Sequence, residues 1–230
     1  MNQAQQQSII IVAGGKGERA GGELPKQFQL LGNKPVLMHT IHAFYRYNAS
    51  INIIIVLPEM FIEYWKELCS EHSFNIDHRL VIGGETRFHS VQNGLALVND
   101  NEIVGVHDGA RPFVSTNVIA QCYQTAISKQ CGVIPVVDEP NSVRMLTENG
   151  SQPINRTSIK IVQTPQVFPA HLLKKAYEAT FDPLFTDDAS VAEQIGIKIE
   201  MIPGEPENIK ITTQLDFLLG EQLLKSIAKS

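Results

Sequence analysis

The chain lacks most of what marks a secreted, membrane-bound or nucleic-acid-coating protein. Only three of its 230 residues are cysteine, Cys69, Cys122 and Cys131. They sit in apolar helix-like or strand-like settings without metal-type spacing, which argues against a disulfide scaffold and predicts buried free thiols in a reducing compartment. The net charge of −5 argues against a general nucleic-acid binder, although a few local cations can still dominate one pocket for a small anion. The opening "MNQAQQQS" has no basic segment and no apolar run of leader length, and no stretch is long enough to cross a membrane. The expectation is a cytoplasmic protein that binds neither nucleic acid nor membrane. There is no internal repeat and no low-complexity linker. With 43% hydrophobic residues, the chain suits a single domain over residues 1–230.

What is present is a regular alternation of apolar runs with helical periodicity. Residues 8–12, 51–57, 79–82, 103–107, 132–137 and 197–202 are rich in Ile and Val and predict strands, several of them apolar throughout, as in a sheet buried on both faces. Helical spacing relates Ile119, Cys122, Tyr123, Ala126 and Ile127, and also Val91, Leu95 and Val98, while residues 214–226 carry a leucine stripe. The predicted class is α/β: a largely parallel twisted sheet with helices on both faces, and a ligand crevice at the carboxyl ends of the strands. Residues 138–166 break the rhythm. Runs at 142–146 and 160–163 flank "TENGS", where Asn149-Gly150 signals a hairpin turn. This predicts a projecting β-arm, packed either on a partner subunit or back on its own domain.

The stretch "IIIVAGGKGERAGGELPKQ" raises the functional question. A dinucleotide fingerprint needs a helix opening on the glycines and an acidic residue about 20 residues further on. Gly21-Gly22 and Pro25 oppose that helix, and Glu59, beyond the next strand, is too distant. The Walker spacing also fails. What remains is a glycine-rich loop from Ala13 through Gly14, Gly15 and Gly17, whose backbone N–H groups can converge on phosphate oxygens. Arg19 offers a fork for two phosphate oxygens and Lys26 a mobile point charge, with Lys16 and Glu18 read as a solvated pair. Further on, "VHDGARPF" sets Asp108 at a strand end, either as a ligand contact or as an ion pair with Arg111, and reads His107 as a packed strand-end residue.

With "GGETRFHSV", "HDGARPF", "QTPQVF", "TDDAS" and "ENIKIT" following in order, the chain from Ile9 to about Leu219 resembles the family of 2-C-methyl-D-erythritol 4-phosphate cytidylyltransferases. The resemblance implies a Rossmann-like nucleotidyltransferase fold, and cytidylyl transfer from CTP to that polyol phosphate in isoprenoid precursor synthesis. It also implies Mg2+ bound mainly through the CTP phosphates and a homodimer through the β-arm. It assigns Arg19, Lys26, Arg156 and Lys210 to catalysis. Ala13, Gly14, Gly15, Gly17, Gly84, Glu85, Ser90 and Asp108 fall to the nucleotide. Asp108, Arg111, Ser142, Arg156, Thr164, Thr186 and Lys210 fall to the acceptor, with Arg156 and Thr164 reaching a neighbouring subunit's pocket. Arg87 is expected to organise the pocket, and Asp187 and Asp188 to be helix-capping acids. Two other readings stand beside this one: a ribitol 5-phosphate cytidylyltransferase with the same loop, and a catalytically silent nucleotide-binding module.

Overall fold

A computed structural model describes residues 5–14 and 24–227. The chain opens with β1 (Gln7–Val12). After the glycine-rich loop come the short ribbon β2 (Leu30–Leu31) and β3 (Lys34–Pro35), and α1 (Val36–Tyr47). Next are β4 (Asn52–Leu57), α2 (Ile62–Glu71), β5 (Arg79–Ile82), α3 (Arg87–Leu95), β6 (Ile103–Asp108), α4 (Thr116–Lys129) and β7 (Gly132–Asp138). The arm strands β8 (Val143–Thr147) and β9 (Gly150–Ile154) precede β10 (Lys160–Val162) and β11 (Gln166–Pro169). The chain closes with α5 (Ala170–Ala176), α6 (Asp188–Glu193), β12 (Ile199–Pro203) and α7 (Gln214–Ile227).

An eight-stranded sheet runs in the order β10-β7-β11-β6-β1-β4-β5, with β12 paired to β7. Strands β5, β4, β1 and β6 are parallel, as their unbroken apolar sequences demand. The other half is mixed. Strand β11 runs antiparallel to β6 and β7, β10 runs antiparallel to β7, and β12 returns parallel to β7. "Largely parallel" therefore holds for the half from β6 to β5, and the reversal at β11 brings the arm's exit beside the carboxyl end of β6.

Alternation along the strands divides the core between the two faces. Ile9, Ile11, Ile53 and Ile55 pack with Phe44, Trp65 and Tyr123 from α1, α2 and α4. Ile10, Ile54 and Val56 face Val91 of α3 and Leu173 of α5 on the other side. Each fully buried side chain of this kind contributes about 1.5–3 kcal/mol of transfer free energy. Helix α3 is set by a true cap, since the Thr86 side chain accepts from the His89 N–H. Helix α7 lays Phe217, Leu223 and Leu224 on a third, smaller cluster that includes Leu31, Phe113 and Ile211.

The arm differs from its sequence prediction in one respect. The turn at Asn149-Gly150 is there, with Gly150 at φ +136°, but its two strands are β8 and β9. The run at 160–162 belongs to the main sheet instead, because Ile161 pairs opposite Val137 of β7. A hairpin of two five-residue strands remains, with Leu146 84% exposed at its end.

Candidate active site

Three strand ends and one late loop surround a cavity of about 530 Å³. Three main-chain bonds lock the strand ends together: Ala13 N–H to Val56 O (2.9 Å), Gly83 N–H to Leu57 O (2.8 Å) and Gly109 N–H to Val12 O (2.9 Å). The buried Gln27 amide donates to Ala13 O at 2.7 Å, so the Pro25-Lys26 segment is tied to the end of β1 and Lys26 lines the cavity. Across from it, the turn after β5 contributes Gly84, Glu85 and Ser90, with Gly84 N–H donating to Ser90 Oγ at 3.1 Å. Gly84 is required by close approach, since a Cβ there would lie 2.4 Å from His89 Cβ and 3.0 Å from its carbonyl carbon.

Asp108, the last residue of β6, faces this cavity and a second one of about 280 Å³. The second is lined by Arg111, Thr164, Thr186 and Asp187, and it shares Arg87, Asp108 and Lys210 with the first. Arg111 Nε and Lys210 Nζ reach Asp108 Oδ2 at 3.1 and 3.0 Å, and Arg87 Nε stands 4.0 Å from Oδ1. Burial alone would raise this carboxyl, but Lys210, Arg87 and Arg111 together hold it well below the usual carboxylate range. It is therefore a carboxylate at neutral pH. Arg111 also donates to Asn208 O at 2.8 Å, so it serves as a brace for the loop carrying Lys210.

Behind Asp108, His107 is fully buried against the ring of Phe44. The Arg111 carbonyl can only accept, so the neutral ring carries its proton on Nε2 and donates to Arg111 O at 3.0 Å. Nδ1 then accepts from the Thr164 hydroxyl (3.0 Å), whose oxygen accepts from the Asp108 N–H (3.1 Å). Burial pushes this histidine down to about 4, against the opposing pull of the Arg111 carbonyl and Asp108. The ring is a neutral spacer, as its strand-end position suggested.

Most residues expected at the site converge there. Ala13, Gly14, Lys26, Gly84, Glu85, Ser90 and Asp108 line the large cavity with Lys210, while Arg111, Thr164 and Thr186 line the small one. Gly15, Gly17 and Arg19 lie outside the described residues. Thr164 is placed differently from the expectation: it is 5% exposed, bonded to its own chain's His107 and Asp108, and lies on its own chain's small cavity without extending toward a neighbour. Ser142 and Arg156 do not reach either cavity of their own chain. Both are exposed, and Arg156 Nη1 donates to Pro140 O at 2.9 Å.

Asp188 is corrected too. Asp187 is the cap of α6, with a reciprocal bond to Ser190, whereas Asp188 is fully buried and holds Arg87 in a two-pronged pair at 3.1 and 2.6 Å. Tyr177 Oη donates to the same carboxylate at 2.7 Å. Burial works against the Arg87 charge, but Asp188 and Asp108 more than offset it and raise that guanidinium further. Sequence offered no sign of this contact beyond an acid doubled at the start of a helix.

The sequence pattern of the 2-C-methyl-D-erythritol 4-phosphate cytidylyltransferase family matches residues 8–226. The chain belongs to that family. The relative of that name from Bacteroides fragilis is 55% identical over 217 residues, covering 94% of this chain and 99% of its own length. Its counterpart from Porphyromonas gingivalis is 44% identical over 223 residues, covering 96% and 99%. Among solved structures, the 4-diphosphocytidyl-2C-methyl-D-erythritol synthase of Anaerococcus prevotii superposes with a TM-score of 0.82 at 27% identity over 96% of both chains. The Francisella tularensis cytidylyltransferase gives 0.77 at 30% identity, over 95% of this chain and 99% of its own. The likeness extends over nearly the whole length of the chain.

A neutral buried histidine makes stability depend on pH. Between pH 6.5 and about 4 the unfolded chain binds a proton at His107 that the native state refuses, so stability falls as pH drops through that window. The full shift amounts to about 3 kcal/mol. Denaturant unfolding at stepped pH is expected to show a shallower slope for His107→Gln, by up to about 1.4 kcal/mol per pH unit. Equal slopes in variant and parent would mean the ring is already charged in the fold.

Proposed function

We propose that this member of the cytidylyltransferase family transfers the cytidylyl group of CTP to 2-C-methyl-D-erythritol 4-phosphate, releasing pyrophosphate. The observation that carries the reading is the pair of cavities joined at Asp108, one on the glycine-rich loop and one beside Thr164 and Thr186. The large cavity takes the nucleotide, with the Gly84–Glu85 turn and Ser90 on the cytosine and Ala13 and Gly14 on the phosphates. The small one takes the polyol phosphate. An oxygen of the acceptor phosphate forms a bond to the α-phosphorus in line, while the bond from that phosphorus to the α,β-bridging oxygen breaks. A phosphate monoester is mostly dianionic at neutral pH, so the attack needs no general base. This agrees with a strand-end histidine that is buried and occupied by two hydrogen bonds.

Catalysis is then positioning and charge stabilisation. Lys26 and Arg19 neutralise charge growing on the α-phosphate oxygens, and Lys210 holds the acceptor phosphate against the nucleotide. Among the described residues no group of three or more His, Cys, Asp or Glu side chains is arranged to hold a metal ion. Asp108, the carboxylate common to both cavities, is already engaged by Arg111 and Lys210. This donor set fits Mg2+ held by triphosphate oxygens and water, not by a protein cage. Bound there, the ion supplies neutralisation of the leaving pyrophosphate's charge.

A homodimer completes the site. The arm leaves Met145 and Leu146 exposed, and a groove of about 810 Å³ beside β7, β10 and β12 exposes Ile161 and Met201. Apolar surface on both elements favours burial between two copies. Arg156, which reaches neither the large nor the small cavity in its own chain, then serves the acceptor phosphate of the partner subunit. No helix among the described residues is long and apolar enough to cross a membrane.

Pyrophosphate release from CTP and magnesium is expected with 2-C-methyl-D-erythritol 4-phosphate. Release with ribitol 5-phosphate alone would keep the chemistry and overturn the acceptor. In the same assay Lys26→Ala and Arg156→Ala should each lose about two to three decades in kcat. Mixing the two inactive variants should restore about a quarter of parental activity, because half of the exchanged dimers carry one intact site. No recovery after confirmed subunit exchange would place Arg156 in its own chain's chemistry or outside it.

A further inference from the structure

The Arg87 guanidinium stands between two carboxylates and is committed to one of them. It forks onto Asp188, at 3.1 and 2.6 Å, while its Nε lies 4.0 Å from Asp108 Oδ1. The short contacts to Asp108, from Arg111 and Lys210, both fall on Oδ2. Oδ1 is thus the edge of Asp108 that a small swing of Arg87 would close. Asp188 is placed to prevent that swing. It is fully buried, and Tyr177 fixes its orientation through a 2.7 Å hydrogen bond to Oδ1. Arg87 is moreover the first residue of α3, where the positive end of the helix disfavours a cation. Without Asp188 its charge has every reason to seek the next carboxylate, and Asp108 is that carboxylate.

We infer that Asp188 is a positioning residue that acts through Arg87 to keep the Oδ1 edge of Asp108 open to ligand hydroxyls. The inference rests on the reading of Asp108 as a contact shared by both substrates. The pair also ties the first residue of α3, just after the Gly84–Glu85 turn, to the first residue of α6, just after Thr186. The pair thus runs between the turn of one cavity and the loop of the other, and what it sets is the availability of the carboxylate between them. Its two partners are 101 residues apart in sequence.

The decisive comparison is Asp188→Asn against the double variant Arg87→Gln with Asp188→Asn, scored by KM for both substrates and by kcat, with thermal melting recorded for each. Asp188→Asn is expected to raise both KM values about tenfold, the coupling expected within one ion-pair network. The double variant, which has no cation left to close Oδ1, should recover most of that loss. A double variant no better than Asp188→Asn, at matched melting temperature, would overturn the inference. Should Asp188→Asn fail to fold, Tyr177→Phe loosens the same carboxylate and keeps its charge. It should raise both KM values two- to threefold with kcat retained, and unchanged KM values would count against the proposal. Asp108→Asn separates the two ideas. Normal activity there would sink the shared-contact reading, whereas a crippled Asp108→Asn with no recovery in the double variant would sink the inference alone.

Discussion

Three cations converge on one carboxylate at the end of β6. Arg111, Lys210 and Arg87 come from three different segments, and Asp108 is the only acid among the residues common to both cavities. Concentrating that much charge at a strand end is costly unless every partner is held by something else, since an ion pair out of water gains only when its geometry is fixed. The surrounding structure supplies that fixing. Arg111 is tied to the Asn208 carbonyl, Arg87 to Asp188, and the Asp108 amide to Thr164. The reversed strand β11 follows directly from Thr164 and pairs with β6, so the mixed half of the sheet is what brings that hydroxyl to the site.

This arrangement explains why the histidine next to Asp108 is inert. A proton on both ring nitrogens would leave Thr164 without its acceptor and add a fourth cation beside Arg111 and Lys210. Burial instead keeps it neutral, and its two bonds tie the Thr164 hydroxyl, which itself takes the Asp108 N–H, to the Arg111 carbonyl. Positive charge around Asp108 is thus carried by Arg87, Arg111 and Lys210 and not by this histidine.

Much of this was legible in sequence because it is local. A parallel strand announces itself by an unbroken run of Ile and Val, and its carboxyl end is where ligands bind, so Ala13, Gly84 and Asp108 could be placed from short windows. What sequence hid are contacts between distant segments. Nothing near Asp188 foretells Arg87, and the same two acids would read identically if both were solvated. The resemblance puts Thr164 with the arm, and the antiparallel return through β10 and β11 that holds it beside Asp108 cannot be seen in a run of three or four residues. The run at 160–162 looked like half of the hairpin, when its partner is β7.

The central claim is that two substrates meet across Asp108, and the most direct test is a crystal structure with CTP, magnesium and 2-C-methyl-D-erythritol 4-phosphate or an unreactive analogue of either. The account predicts cytidine against Gly84, Glu85 and Ser90, the polyol phosphate between Thr186 and Lys210, and a hydroxyl of at least one ligand on Asp108. The acceptor oxygen should stand about 3–3.5 Å from the α-phosphorus. Ligands that share the large cavity, or a bound pair that leaves Asp108 untouched, would contradict it.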